Sequence, residues 1–337
     1  MNPSKAQRTI ILYVGLFVSI ILLAVMWQIN RYVAGLPPLL QIPNYQVNRV
    51  TLTDQLDGAK IKPEDLLPAC AGPDCLRSLD QPRFETATTA DTWLQDDDRI
   101  IGLVFKGVSR AYPIKILNYH PVINDVINLN PILIAYSPLT GSSAIYRPLV
   151  NEIQTQFGVS GLVRHSDLVL YDRLQGNLWQ QISGQAILGP AALANEALQP
   201  MPLSYTRWNI WKQAHPDTTV LSQSTGLSLD YSQSPYSDYE DNDELRLQTT
   251  YTNKTLPAKD LVYGLKLGSF YKAYPDSLIT DTPTQDYIGN TSVTIQRQAD
   301  GTVVVTNTKT NELLYPRPSY WFAWNAFYPE SRIYQTR

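Results

Sequence analysis

The chain contains few of the residues that build thiol and metal sites. Its 337 residues include two cysteines and three histidines. No third or fourth cysteine or histidine lies near the cysteine pair, so the sequence gives little support for a zinc cluster. The sequence also lacks a phosphate-binding loop, a dinucleotide-binding fingerprint, a zincin motif and a haem-attachment motif. Because these motifs are absent, we predict no nucleotide cofactor.

An excess of positive charge is also absent. The chain carries 27 basic and 30 acidic residues, for a formal net charge of -3. Without a broad basic surface it has little means of neutralising phosphates, so we expect no nucleic-acid partner. Its hydrophobic fraction of 44% is sufficient for a globular protein with a sizeable core.

One long apolar run stands near the N-terminus. The segment "TIILYVGLFVSIILLAVMWQIN", residues 9–30, is nearly uncharged and is long enough to cross a hydrocarbon layer of about 30 Å as a helix. Lys5 and Arg8 precede it and Arg31 follows it, which favours a cytoplasmic N-terminus. A cleaved signal peptide is the alternative, but "RYVAGLPP" is a poor cleavage site.

We therefore expect a single-pass protein of the inner (cytoplasmic) membrane, with the bulk of the chain periplasmic or otherwise extracytoplasmic. In an oxidising compartment, the close pair Cys70 and Cys75 in "ACAGPDC" indicates a local disulfide, with a metal-binding pair as the alternative. The helix makes the membrane a partner, and a second membrane protein is a further candidate.

The remainder of the chain is predicted to be β-rich and of the α+β class. Short runs such as "RIIGLVF", "PILIAYS" and "LVLYDR" are rich in Ile, Val and Tyr and are bounded by turn residues, as in strands. The predicted segments are a cytoplasmic tail (1–8), a transmembrane anchor (9–30), a stalk (31–60), an N-terminal segment with the disulfide loop (61–98), module 1 (99–222, with an insertion at 159–201), a connecting region (223–260) and module 2 (261–337).

An internal duplication is the basis for the two modules. "GLVFKGVSRAYP" starts at Gly102 and "GLKLGSFYKAYP" starts at Gly264; without a gap, five positions are identical and a sixth is basic in both copies. "WNIWKQAHP" and "WFAWNAFYP" then share the spacing W-x-x-W-x-x-x-x-P. The repeat indicates one structural unit used twice, in which these shared positions have structural roles.

Residues that occur in only one copy are the better functional candidates, since the common framework does not require them. His120, Ser137 and Thr140 are specific to module 1, as is the insertion with "VRHSD". Asp125, in contrast, aligns with Asp286 when one gap is allowed.

At these residues the chain resembles a bacterial and archaeal family called domain of unknown function 3179. The resemblance rests on "IGLVFKGVSRAYPIKILNYHPVINDV", "YSPLTGSS", "LVLYDRLQGNLWQQISGQAILGP" and "YSQSPYSDYEDND", and it runs from about residue 61 to the C-terminus. It implies no activity. The family's turn commonly reads Tyr-Cys-Pro-Leu, whereas this chain has Ser137 in place of the cysteine. The loop with Cys70 and Cys75 replaces a glycine-rich one, which supports a disulfide there.

Two kinds of chemistry remain open for module 1. Ser137, His120 and Asp125 would form a catalytic site of a hydrolase if the hydroxyl and the imidazole were in contact, although no G-x-S-x-G elbow is present. A cysteine in relatives at position 137 would instead be a thiolate or a soft metal ligand. The structural alternatives are a turn hydroxyl for Ser137 and a hydrogen-bonded, buried His120.

Ligand binding is expected around Thr140 and the insertion. Arg164, His165 and Asp167 offer polar groups, and Trp179 offers an aromatic face. Separately, Asp238, Glu240, Asp241 and Asp243 supply oxygen ligands suited to Ca²⁺, although the spacing fails as an EF-hand loop. A solvated acidic loop is the alternative there.

The leading expectation from sequence is thus a membrane-anchored extracytoplasmic binding or accessory module of a membrane assembly. A hydrolase or metal-dependent enzyme that uses Ser137 and His120 is the alternative. Any ligand site is expected in module 1, where His120, Asp125, Ser137, Thr140 and the His165 loop would converge.

Overall fold

The computed structural model describes residues 61–247 and 249–336. The predicted cytoplasmic tail, transmembrane anchor and stalk lie outside these residues. Within the described part, no helix combines the length and the apolar character needed to cross a membrane.

The prediction of a β-rich fold is confirmed. The strands of the described residues are β1 (Leu67–Pro68), β2 (Phe84–Thr86), β3 (Arg99–Phe105), β4 (Val108–Pro113), β5 (Val122–Ile127), β6 (Asn130–Ser137), β7 (Ser142–Arg147), β8 (Leu149–Val150), β9 (Ile153–Gln154), β10 (Phe157–Arg164), β11 (Asp167–Asp172), β12 (Leu178–Gln180), β13 (Ala186–Leu188), β14 (Gln199–Pro200), β15 (Ser204–Arg207), β16 (Thr219–Leu221), β17 (Leu261–Leu267), β18 (Phe270–Pro275), β19 (Thr284–Ile288), β20 (Thr291–Arg297), β21 (Val303–Asn307), β22 (Leu313–Leu314), β23 (Arg317–Tyr320) and β24 (Arg332–Ile333).

Helices are short in this part of the chain. They are α1 (Ala87–Ala90), α2 (Ile114–Leu117), α3 (Pro190–Leu193), α4 (Trp208–Ala214), α5 (Ser237–Glu240) and α6 (Trp321–Phe327), with 3₁₀ turns at Pro63–Asp65 and Asp276–Leu278.

Five sheets of four or five strands form a propeller-like arrangement with five blades, and β8 and β9 form a separate small hairpin. In strand order the sheets are I (β15-β3-β4-β16-β2), II (β14-β7-β6-β5), III (β1-β10-β11-β12-β13), IV (β23-β17-β18-β24) and V (β19-β20-β21-β22). The sequence predicted strands and a repeat, but not this arrangement.

Sheets I and IV have the same strand pairing. Gly102 pairs with Ala111 in the β3–β4 hairpin, and Gly264 pairs with Ala273 in the β17–β18 hairpin. In each sheet a later strand then adds in parallel to the second hairpin strand, β16 to β4 and β24 to β18. The duplicated sequence segments therefore have closely related backbone arrangements.

Sheets II and V also correspond, since each is a four-stranded antiparallel sheet that follows its hairpin along the chain. Sheet III has no such counterpart. Four of its strands, β10 to β13, lie within Phe157–Leu188, close to the insertion at 159–201 that the repeat comparison indicated. The insertion thus supplies the fifth blade.

A glycine and a tryptophan hold each module's helix against its sheet. A Cβ atom added to Gly102 would overlap the ring of Trp211, and one added to Gly264 would overlap the ring of Trp324. The indole nitrogen of Trp211 donates to Thr218 Oγ1 at 2.9 Å, and that of Trp324 donates to Ser331 Oγ at 2.7 Å. The glycine is required because the helix packs so closely that no side chain fits between them.

The predicted disulfide is present between Cys70 and Cys75, whose Cα atoms are 6.2 Å apart. Its loop lies against sheet III, where the Ala69 N–H donates to the Gly161 carbonyl at 2.8 Å. A Cβ at Gly161 would overlap the backbone of Gly72, so the loop and the strand are in direct backbone contact.

We predict that Gly102→Ala and Gly264→Ala each lower the free energy of unfolding by about 1–3 kcal/mol, because the added methyl group overpacks the indole behind it. Chemical denaturation of the purified protein measures this. Gly107→Asn is the control, since Gly107 has open space around it and a left-handed φ of 78° that asparagine tolerates. A large loss in the control, or none in the two alanine variants, would contradict the packing argument.

Candidate ligand-binding site

Thr140 and Asp167, both predicted ligand-binding residues, are brought together in a buried hydrogen-bond network. Asp167 Oδ1 accepts from the hydroxyls of Thr140 at 3.0 Å and Ser142 at 2.7 Å. Its Oδ2 accepts from the side-chain amide of Gln180 at 2.6 Å and the backbone N–H of Ile182 at 3.0 Å. We call these five residues the Asp167 network.

Local backbone geometry explains how the network forms. Thr140 and Ser142 flank Gly141, whose φ of 57° allows the tight β6–β7 turn. Asp167 follows the two-residue turn His165-Ser166, in which both residues have positive φ, as a type I′ hairpin requires. The Thr140 carbonyl also accepts the N–H of Tyr320 at 2.7 Å, so the network links sheets II, III and IV.

The electrostatic state of Asp167 follows from its complete burial. Loss of solvation raises the pKa of this carboxyl group, while the donors from Ser142, Gln180, Ile182 and Thr140 oppose the rise. Its hydrogen-bond partners are neutral hydroxyl, amide and backbone groups. The network therefore holds three blades together and presents no accessible reactive group.

Ser137 and His120 do not form the predicted pair. The Ser137 hydroxyl is buried and accepts the backbone N–H of Leu168 at 3.2 Å. His120 is also buried, with Nδ1 2.7 Å from the Arg77 carbonyl and Nε2 2.7 Å from the Tyr231 hydroxyl. Both ring nitrogens are thus engaged elsewhere, and within the described residues no hydrogen bond joins His120 to Ser137. Burial also lowers the pKa of His120.

Asp125 has a structural role that the repeat explains. It binds the guanidinium of Arg110 and accepts the Tyr112 hydroxyl at 2.6 Å. The equivalent trio in module 2 comprises Asp286, Lys272 and Tyr274, with the ammonium nitrogen 2.7 Å and the hydroxyl 3.0 Å from the carboxylate. Because both copies have this arrangement, Asp125 belongs to the shared framework, and the geometry gives the prediction of a catalytic role no support.

Arg164 and His165 lie at the hairpin tip of sheet III, against helix α6. The Arg164 guanidinium carbon is 5.3 Å from the ring centre of Phe327, and the His165 ring meets the same phenyl edge-on at 5.0 Å. Ser166 Oγ lies 2.6 Å from Thr249 Oγ1. These contacts dock the insertion onto module 2. His165 thus contacts Phe327, whereas His120 contacts Arg77 and Tyr231, and among the described residues no hydrogen bond joins the two histidines.

Trp179, predicted as a ligand-binding residue, lies in the core of sheet III. It is fully buried, its indole nitrogen donates to Asp172 Oδ2 at 2.8 Å, and its ring packs against Phe157 at 5.9 Å. A side chain so enclosed packs the core of sheet III and offers no face to a ligand.

The acidic residues of the connecting region do not gather into a cation site. Asp238 pairs with Arg246, and Glu240 accepts from Ser234 at 3.3 Å. No group of three or more His, Cys, Asp or Glu side chains suited to a metal is found among the described residues. The Ca²⁺ prediction for Asp238, Glu240, Asp241 and Asp243 therefore has no geometric support here.

An open cleft lies elsewhere, between the two modules. It has a volume of about 150 Å³ and lies between Val104 and Ser204 of sheet I and Asp300, Thr302 and Tyr315 of module 2. We call it the seam cleft. At its base the hydroxyls of Ser204 and Thr302 are hydrogen-bonded to each other, which ties the two modules together.

The two modules differ at the strand that borders this cleft. Ser204 pairs with Gly102 in sheet I, and at the equivalent place in sheet IV Arg317 pairs with Gly264. Arg317 there donates to the carbonyl of Ile182 in the insertion, and Ile182 packs in the core of sheet IV. Module 2 has no such block to cover sheet I. Sequence comparison revealed the deletion, but not the cleft.

With this geometry established, comparison with known proteins gives one assignment. The family described as "Protein of unknown function (DUF3179)" matches residues 73–316. The chain belongs to this family. The match confirms the resemblance seen in the sequence and covers module 1 and residues 261–316 of module 2, so it includes the residues that line the seam cleft. Searches of curated proteins and of solved structures found no match.

We predict that Asp167→Asn changes the pH dependence of stability. Because the folded-state pKa is raised above 3.8, the native state binds more protons than the unfolded state across that window. The parent should therefore lose stability relative to the variant as the pH rises from 3.8 to the raised pKa, by about 1.4 kcal/mol for each pH unit between those two values. Urea denaturation across this pH range measures the difference.

The same substitution also lowers the free energy of unfolding by an amount that does not depend on pH. An asparagine amide places N–H groups against donors from which Asp167 now accepts, which costs about 1–3 kcal/mol. Asp125→Asn is the comparison variant, because it removes a carboxylate that has the guanidinium of Arg110 among its partners, whereas all partners of Asp167 are neutral. A parallel pH profile for the parent and Asp167→Asn would contradict the assignment.

Proposed function

We propose that the protein is a membrane-anchored, extracytoplasmic binding module that holds a small ligand in the seam cleft and acts as an accessory part of a membrane assembly. Two related modules form the ectodomain, and the ligand lies where they meet. The observation that carries the proposal is the seam cleft itself, an open space with polar and apolar walls contributed by both modules.

The state of the nominated catalytic groups supports binding over catalysis. A serine hydrolase needs its hydroxyl within hydrogen-bond reach of the base. Here the Ser137 hydroxyl accepts from Leu168, and both His120 nitrogens contact Arg77 and Tyr231. Each group is buried and satisfied by the fold, as expected of framework residues. A hydrolase mechanism through Ser137 and His120 therefore gains no support.

The N-terminal sequence supports the membrane part of the proposal. Residues 9–30 form an apolar run with basic residues at both ends, and such a run anchors a chain in a bilayer. The disulfide between Cys70 and Cys75 is consistent with an oxidising compartment. An anchored module with a ligand cleft suits the role of a sensing or presenting subunit.

Filling the cleft tests the binding proposal. Val104 is 45% exposed and lines the seam cleft, so Val104→Trp should occupy the space without disturbing the core. We expect the parent, as purified full chain in detergent, to bind members of a mixed set of small neutral, cationic and anionic compounds in ligand-observed NMR. The Trp variant should lose that binding.

Val126→Trp is the matched control. Val126 is 39% exposed, lies on β5 and does not line the cleft, so this variant should bind as the parent does. The proposal fails if no compound binds the parent, or if both Trp variants bind equally. Turnover of any bound compound by the parent would instead return the protein to the enzyme class.

Removing residues 9–30 tests the anchor. We expect the parent to sediment with membranes and to resist extraction by high salt. A phosphatase that is active only outside the cytoplasm, fused to the C-terminus of the parent, should be active. The deletion variant should appear in the soluble fraction with an inactive reporter. An active reporter on a soluble, shortened parent chain would indicate a cleaved signal peptide.

A further inference from the structure

The lining of the seam cleft combines polar and apolar side chains. The polar residues that line it are Gln298, Asp300, Ser204 and Thr302. Leu313 and the aromatic residue Tyr315 also line it. Small-molecule sites commonly combine such apolar walls with a few placed polar groups.

Asp300 is held in place by the fold. Its Oδ1 accepts the N–H of Thr302 at 2.9 Å, and its Oδ2 lies 3.2 Å from His215 Nε2. The His215 ring packs in turn on Trp211 at 4.1 Å. Because two elements fix the carboxylate, it is a preorganised hydrogen-bond acceptor, and such order reduces the entropy lost on binding.

Charge limits the class of ligand. Among the described residues, the cleft is lined by no lysine or arginine, so a phosphate or carboxylate would meet Asp300 without a compensating cation. A cationic ligand would need Asp300 as its full counter-charge, although Thr302 and His215 already hydrogen-bond that carboxylate. Neutral hydroxyl groups suit this lining better, since they donate to Asp300 and both donate to and accept from the Gln298 amide.

Size limits the ligand further. At about 150 Å³, the cleft is smaller than the roughly 300–1,000 Å³ typical of sites for drug-sized ligands. It therefore accommodates a single ring or the terminal unit of a longer chain. The apolar C–H face of a saturated ring would pack on Tyr315 and Leu313 while its hydroxyls point to the polar side.

Building on the proposed function, we propose that the seam cleft binds one neutral sugar unit, with Asp300 and Gln298 recognising its hydroxyls and Tyr315 contacting its apolar face. The ligand is defined by this chemistry, a neutral polyhydroxylated ring. Both modules are needed, because the polar groups come mainly from module 2 and Val104 and Leu203 come from module 1.

Matched sugars provide the test. The purified full chain in detergent is titrated by calorimetry with the methyl glycosides of neutral hexoses, and with the 2-amino and uronic acid counterpart of each. We expect at least one neutral glycoside to bind at least about tenfold more tightly than its uronic acid, which Asp300 repels, and more tightly than its amino sugar.

Variants assign the contacts. Asp300→Asn and Gln298→Ala should each weaken the neutral glycoside by about tenfold or more, as expected for loss of a ligand hydrogen bond. Gln285→Ala is the control, because Gln285 lies on β19 and does not line the cleft. Circular dichroism and thermal unfolding of each variant separate lost binding from lost folding.

The outcomes distinguish this inference from the function on which it rests. If charged compounds bind the parent but not Val104→Trp, and neutral glycosides do not bind, the sugar assignment is wrong. The proposal of a ligand-binding module would still stand. Binding of a neutral glycoside that Val104→Trp does not affect overturns the placement in the cleft. Absence of Val104-sensitive binding by any compound overturns both.

Discussion

The contact between a strand glycine and a helix tryptophan is the constraint on which each module depends. At Gly102 and at Gly264 the missing side chain lets an indole lie directly on the sheet. This contact sets the position of the short helix, and the chain that leaves the helix returns as the parallel strand β16 or β24. Since short helices have little stability of their own, tertiary packing is what holds α4 and α6.

Burial of polar groups then decides which residues are available for chemistry. Asp125 and Asp286 are clamped by a cation and a tyrosine in both copies, and Asp167 is surrounded by neutral donors where three blades meet. His120 and Ser137 are engaged in the same manner by backbone and tyrosine groups. Buried groups held by hydrogen bonds help to specify a fold and are poor reagents, so the open seam between the modules is the better candidate for contact with a ligand.

The insertion is present in module 1 alone and makes the two modules unequal. In module 1 it adds a blade, docks its hairpin on Phe327 and covers sheet IV through Ile182. Module 2 has no equivalent insertion. In sheet I, Gly102, Val104 and Ser204 line the seam cleft. The insertion at 159–201 therefore makes the two duplicated modules asymmetric.

The sequence by itself determined the strand-rich class, the repeated Gly and Trp positions, the Cys70–Cys75 pair and the family, because each is a local pattern or a direct comparison. It also singled out Thr140 and Asp167, which do meet. Only the tertiary structure decided that His120 faces Tyr231, that Trp179 is enclosed, and that a cleft opens beside Asp300. These outcomes depend on pairs such as Ser204 and Thr302, far apart along the chain, and no local pattern encodes which distant surfaces will pack together.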